Sequence, residues 1–165
     1  MKRVYLAGPI SGLNYNKATD WRAQVAPRLL GMGYEVYNPM RGKEYLSQIG
    51  IIDHTQCERL KNPLSMSSGI LHRDFKDVSE CDVLLVNLLP ENDSKRLSVG
   101  TYAEIALACY LKKLIIVVAP VDHDPIPGHK VVKHPMYSQM ISYRVDTLEE
   151  ALHMCRCYIE GVYNG

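Results

Sequence analysis

The chain has 165 residues, 47% of them hydrophobic and 22% charged, with 19 Lys and Arg against 18 Asp and Glu. That size suits a single domain over residues 1–165, with a core large enough to need no disulfide or metal staple. A formal charge of +1 argues against a nucleic-acid polymer or a membrane as partner, although it leaves room for a small anionic ligand.

Residues 1–9 pair two basic residues with a short apolar stretch. Gly8-Pro9 ends that stretch too soon for a secretion leader, so residues 4–8 read as the first strand. Residues 18–32 form an amphipathic helical pattern that includes Trp21, Val25, Leu29 and Leu30, with Gly31 and Gly33 marking its end. Residues 35–38 read as a second strand closed by Pro39. The stretch 40–66 is too long for a plain connection, and a short helix and part of a pocket wall are expected there. Residues 67–79 follow as a helix with Ile70, Leu71, Phe75 and Val78 at core-facing spacing.

Residues 82–89 are a near-continuous apolar run, as expected of a strand covered on both faces. A polar loop over 90–98 leads to a helix over 101–112 and a strand over 114–119, the longest apolar run and far short of the ~18 residues of a membrane span. After a loop holding Pro120, Pro125, Pro127 and Pro135, residues 141–145 supply a fifth strand. Asp146-Thr147-Leu148-Glu149 then caps a last helix reaching about Tyr163. The alternation predicts an α/β fold, a doubly wound five-stranded parallel sheet of the flavodoxin or Rossmann kind. Ligands bind such sheets beyond the carboxyl ends of the strands, near the point where strand order reverses.

Several patterns exclude particular chemistries. Gly8-Pro9-Ile10-Ser11-Gly12 is not a dinucleotide fingerprint, and no Walker A pattern occurs. The glycine-rich turn fits a plain tight turn and a close ligand approach equally well. His72-Arg73-Asp74 lacks the later asparagine of a kinase loop. The six histidines show no metal-binding spacing, so no metal and no cofactor are expected. Five cysteines without a CxxC spacing read as structural thiols of a reduced, cytoplasmic protein.

The acids carry the most information. Asp77 and Glu80 read as a solvated helix face, whereas Asp74 can point toward the ligand edge of the sheet. Thr101-x-x-Glu104 is formally a capping box, which would explain the glutamate without any function. The same position suits a nucleophile kept ionised by the helix N-terminus and aimed at an acetal-like carbon such as C1′ of a nucleoside. Ser98 and the Gly100 backbone would then lie where free N–H groups welcome an anion.

Tyr5-Leu6-Ala7-Gly8-Pro9-Ile10, then Asp74 eight residues before Asp82, then Ser98-x-Gly100-x-x-x-Glu104 together resemble the nucleoside 2-deoxyribosyltransferase family. The resemblance extends to its branch of 2′-deoxynucleoside 5′-monophosphate N-glycosidases. It implies Glu104 as nucleophile, Asp74 as the acid that handles the base, and Tyr5 as the group holding Glu104. Gly8 and Ile10 would line the sugar–base site. Transferases acting on free nucleosides carry Asp six residues before the nucleophile; Ser98 stands there instead and favours a 5′-phosphate, because a carboxylate would repel it. The implied reaction is hydrolysis of a nucleotide N-glycosidic bond, with base exchange between nucleosides as one alternative and a non-catalytic nucleotide-binding module as another. The related hydrolases place an arginine after the Ile10 position; this chain has Ser11, and Lys17, Arg22 or Arg41 could substitute. The resemblance also implies a homodimer or larger, Ser138 of one copy completing the site of its neighbour.

Overall fold

The structure is a computed structural model that describes residues 1–89, 98–119 and 135–160. The polar loop from Pro90 to Leu97, the segment beginning at Pro120 and the expected helix end at Tyr163 lie outside the described residues. Five strands, β1 (Arg3–Ala7), β2 (Glu35–Tyr37), β3 (Val83–Asn87), β4 (Leu114–Val118) and β5 (Tyr143–Val145), form one parallel sheet. Their order is β2-β1-β3-β4-β5, so the switch point falls between β1 and β3. Six α-helices are described: α1 (Tyr15–Gly31), α2 (His54–Arg59), α3 (Ser67–Glu80), α4 (Val99–Tyr110), α5 (Pro135–Ser138) and α6 (Leu148–Glu160).

Alternation along the strands divides the core. Val4, Leu6, Val83, Leu85, Ile116 and Val118 pack with Trp21, Val25 and Leu29 of α1 and Ala151, Leu152 and Cys155 of α6. Tyr5, Ala7, Leu84, Val86, Ile115 and Val117 face Val78 of α3 and Tyr102, Ile105 and Ala108 of α4. Helices thus cover both faces, as the apolar runs predicted. The stretch 40–66 holds more than one short helix: two 3₁₀ turns (Glu44–Gln48 and Pro63–Ser65) flank α2. It folds over its own small core of Leu13, Ala18, Met40, Leu46, Ile52 and Cys57.

Three boundaries differ from expectation for local reasons. Helix α1 begins three residues early because the Asn14 side chain accepts the Lys17 N–H at 2.9 Å. The capping box of α6 is Thr147 with Glu150, one residue beyond the expected set. Thr147 Oγ1 accepts the Glu150 N–H at 3.2 Å, and Glu150 Oε2 accepts the Thr147 N–H at 3.3 Å. Glu149 is left to pair with Arg28. Helix α4 begins at Val99, so Thr101 lies inside it, and its hydroxyl meets that of Ser98 at 2.7 Å. Glu104 therefore takes no part in a capping box.

Helix α3 meets expectation at Val78 and Asp74 and departs from it at Asp77, Leu71 and Phe75. Its buried residues are Asp74, Asp77 and Val78, while Leu71 and Phe75 are 49% and 37% exposed. On α1, Leu30 is likewise exposed. Cys57, Cys81 and Cys155 are buried free thiols, and burial pushes Cys81 and Cys155 up to about 12, which leaves them inert.

Candidate active site

The switch point is built first from a close approach of backbone. A Cβ on Gly8, at φ +155°, would stand 2.9 Å from the Asn87 carbonyl oxygen and 3.3 Å from the Trp21 ring. Only glycine lets β1 end so close to β3. Three residues back, Tyr5 projects from β1 toward α4, and its hydroxyl donates to Glu104 Oε1 at 2.7 Å. Tyr5 is fully buried and Glu104 is 8% exposed.

Glu104 is not the first-turn carboxylate expected, because α4 starts early and carries no acid in its first turn. Burial, not a helix dipole, governs it and pushes its pKa up to about 8. The Tyr5 hydrogen bond opposes that rise, Asp74 adds to it, and Arg22 and Lys43 oppose it. Tyr5 itself is held well above the usual phenol value by burial and by the Glu104 and Asp74 charges.

Asp74 is also 8% exposed. Its carboxyl accepts Arg73 Nε at 3.3 Å, and burial raises its pKa against the pull of Lys43 and Arg73. Arg73 also donates to the carbonyls of Pro39 and Arg41, tying α3 to the turn after β2. Arg41 grips Asp77 at 2.6 and 2.9 Å, so Asp77 belongs to this buried seam and not to a solvated face. Glu80 accepts the Tyr37 hydroxyl at 3.1 Å. Beneath these groups lies Arg22, wholly buried, donating to the carbonyls of Leu6, Ala18 and Gly8.

The structure therefore brings Tyr5, Gly8, Asp74 and Glu104 to one edge. Ile10 packs on the small core beside them. Ser98 and Gly100 sit at the open start of α4, where a Cβ on Gly100 would meet nothing. Ser138 stands apart at the end of α5, exposed, its hydroxyl donating to Pro135 O at 3.1 Å. Of the cations offered for phosphate, Arg22 is consumed by backbone carbonyls and Arg41 by Asp77; Lys17 is exposed on α1. The site residues missed from sequence are Lys43 and Arg73. The adjacency of Arg73 to Asp74 was the available signal for one; Lys43 lies in the irregular stretch 40–66, where no pattern singles it out.

Comparison with known proteins follows the same outline. The family model described as "Nucleoside 2-deoxyribosyltransferase" matches residues 4–149. No curated protein sequence matches the chain. A conserved protein from Enterococcus faecalis V583 is 16% identical with a TM-score of 0.64, over 96% of this chain and 99% of its own. A 2-deoxyribosyltransferase from Leishmania mexicana is 16% identical with a TM-score of 0.62, over 99% and 100%. A CMP N-glycosidase from Clostridium botulinum is 18% identical with a TM-score of 0.50, over 95% and 99%. At these identities the structural likeness is one of fold.

Proposed function

This chain belongs to the nucleoside 2-deoxyribosyltransferase family, whose members are enzymes, and on that premise we propose that it cleaves the N-glycosidic bond of a nucleoside or 2′-deoxynucleoside 5′-monophosphate. The carrying observation is the buried hydrogen bond from Tyr5 to Glu104, beside a buried Asp74 whose charge acts on both. A capping glutamate needs neither partner.

The chemistry runs in two balanced steps without a cofactor. Glu104, as carboxylate, forms a bond to C1′ while the C1′–N pair leaves with the base. Asp74, whose burial favours its protonated form, gives the base a proton. Water then attacks C1′, Asp74 takes back a proton, and Glu104 is released with the sugar phosphate. Tyr5 orients the Glu104 oxygen and draws its pKa down.

The preference for a 5′-phosphate rests on the start of α4. Among the described residues no side chain caps that helix, so its first N–H groups can meet an anion, with the Ser98 hydroxyl, bonded to that of Thr101, beside them. Gly8 and Ile10 line the sugar and base. The functional unit is a homodimer or larger, in which Ser138 of a neighbouring copy closes the 5′ side. The exposed apolar Leu71, Phe75, Val99 and Tyr110 fit such an assembly.

Base exchange between nucleosides is the second reading, and the family description favours it. Incubating the protein with nucleosides and 5′-monophosphates plus a second free base separates the two. Free base with sugar phosphate supports hydrolysis; a swapped nucleoside supports transfer. Glu104→Ala that still releases base at the wild-type rate overturns both.

A further inference from the structure

Four cations surround the two buried carboxyls, and three of them are fully engaged. Arg22 is matched by three carbonyls, Arg41 by Asp77, and Arg73 by Asp74 and two carbonyls. The fourth is Lys43, 4% exposed. Its ammonium makes no hydrogen bond or ion pair among the described residues. Enclosing a lysine side chain so fully while leaving its ammonium unmatched weakens the fold, and stability alone would favour an apolar residue there.

The position of Lys43 is fixed from three sides. Its N–H donates to Met40 O at 3.1 Å, closing the turn after β2. Gly42, at φ +71°, lets that turn pass against Leu64. Arg73 and the Arg41–Asp77 pair clamp the turn to α3. The ammonium so placed acts on Asp74 and also reaches Glu104. Its charge is felt by Asp74, Arg73, Cys57 and Arg22. Burial and the Arg73 charge pull its pKa down to about 8.

Building on the glycosidase reading, we infer that Lys43 contacts the substrate, its ammonium donating to an acceptor atom on the leaving base. When Glu104 bonds to C1′ and the C1′–N pair passes to the base, Lys43 stabilises the charge that develops there. Asp74 supplies the proton, and Lys43 keeps its own.

The test uses the full chain with Lys43→Met, and with Lys43→Gln should the first fail to fold. Met fits beside Leu46 and Cys57, so its thermal midpoint should match or exceed that of wild type. Two leaving groups are compared: the natural base, and 4-nitrophenolate from 4-nitrophenyl 2-deoxyriboside 5-phosphate, which departs unaided. The expected loss in kcat/KM is about 10²-fold with the base and under about 3-fold with nitrophenolate, and the same for nucleoside as for monophosphate. Equal losses with both leaving groups, a loss confined to the monophosphate, or no loss would overturn the assignment.

Calorimetry with free adenine, guanine, cytosine, uracil and hypoxanthine supplies a readout independent of turnover. A base held by wild type and weakened at least about 10-fold by Lys43→Met upholds the contact, even where no substrate is cleaved and the glycosidase reading alone falls. Glu104-dependent cleavage and base binding that both ignore Lys43 sink the contact alone. A wild-type chain that neither binds base nor cleaves overturns both.

Discussion

The two faces of the sheet differ in what they bury beside their apolar cores. Under α1 and α6 the buried side chains are the apolar ones that helical periodicity selects: Trp21, Val25, Leu29, Ala151, Leu152 and Cys155. Under α3 and α4 the buried set includes Asp74, Asp77, Thr101 and Glu104, while Leu71, Phe75, Val99 and Tyr110 look outward. Both faces hold an apolar core, but the face under α3 and α4 also buries carboxyls, which raises Glu104 and Asp74 and costs stability that the apolar burial must offset. Arg22 links the two: rooted in α1, it reaches the carbonyls at the end of β1 and places a buried charge under the carboxyls.

The largest test of this contrast is Glu104→Gln. Turnover should fall by about 10⁴-fold, as for loss of a nucleophile, yet the fold should gain stability. The native carboxyl titrates near 8, against an ordinary 4.5. Between those values the native state keeps a proton that the unfolded chain has released, so stability falls as pH rises through the window. Gln, which keeps an acceptor for Tyr5 and never ionises, escapes that loss. At pH 7 the gain is on the order of 3 kcal/mol, read as a higher midpoint in thermal melts. The difference should vanish near pH 4. A variant less stable than wild type at pH 7 would break the contrast, since Glu104 would then be a structural group like those of the opposite face.

Tyr5→Phe sharpens it further. The Tyr5 hydrogen bond is the main influence holding Glu104 down; without it the pKa rises and less nucleophile is present at neutral pH. Activity at pH 7 should drop by about 10–10²-fold. The acid limb of the kcat/KM profile should move to higher pH, with much of the rate recovered in alkaline buffer. A uniform loss at every pH would mean that Tyr5 serves packing alone.

What the sequence discloses divides along the same line. The parallel sheet covered on both sides and the α1 face follow from the apolar patterning because burial there obeys hydrophobicity. Tyr5, Asp74 and Glu104 could be read because their order and spacing resemble a known family. Asp77 could not: next to Asp74 on α3 it looks like a solvated face, and only Arg41, delivered from the β2 turn, makes its burial tolerable. Lys43 escaped for a similar reason, since one lysine in an irregular stretch gives no periodic signal. The two Thr-x-x-Glu sets teach the same lesson. Thr147 and Glu150 form a capping box, whereas Thr101 and Glu104 match the pattern and do not. Helix α4 starts two residues early, so Tyr5, and not a backbone N–H, becomes the partner of that glutamate.

The smallest effect is also the most exacting, because it asks whether the outward apolar residues of α3 matter to the single chain at all. Leu29→Ala, in the fully buried α1 stripe, should cost about 2–5 kcal/mol in thermal or urea unfolding. Leu71→Ala, half exposed already, removes little area from a folded monomer and should cost less than about 1 kcal/mol at low protein concentration. If a second copy covers this face, the Leu71→Ala deficit must grow with concentration, as assembly lends wild type a stability the variant lacks. Melts over a hundredfold dilution series would show it, and sedimentation would show weaker association. A deficit as large as that of Leu29 at every concentration would make Leu71 a core residue, and the contrast between the two faces would fail.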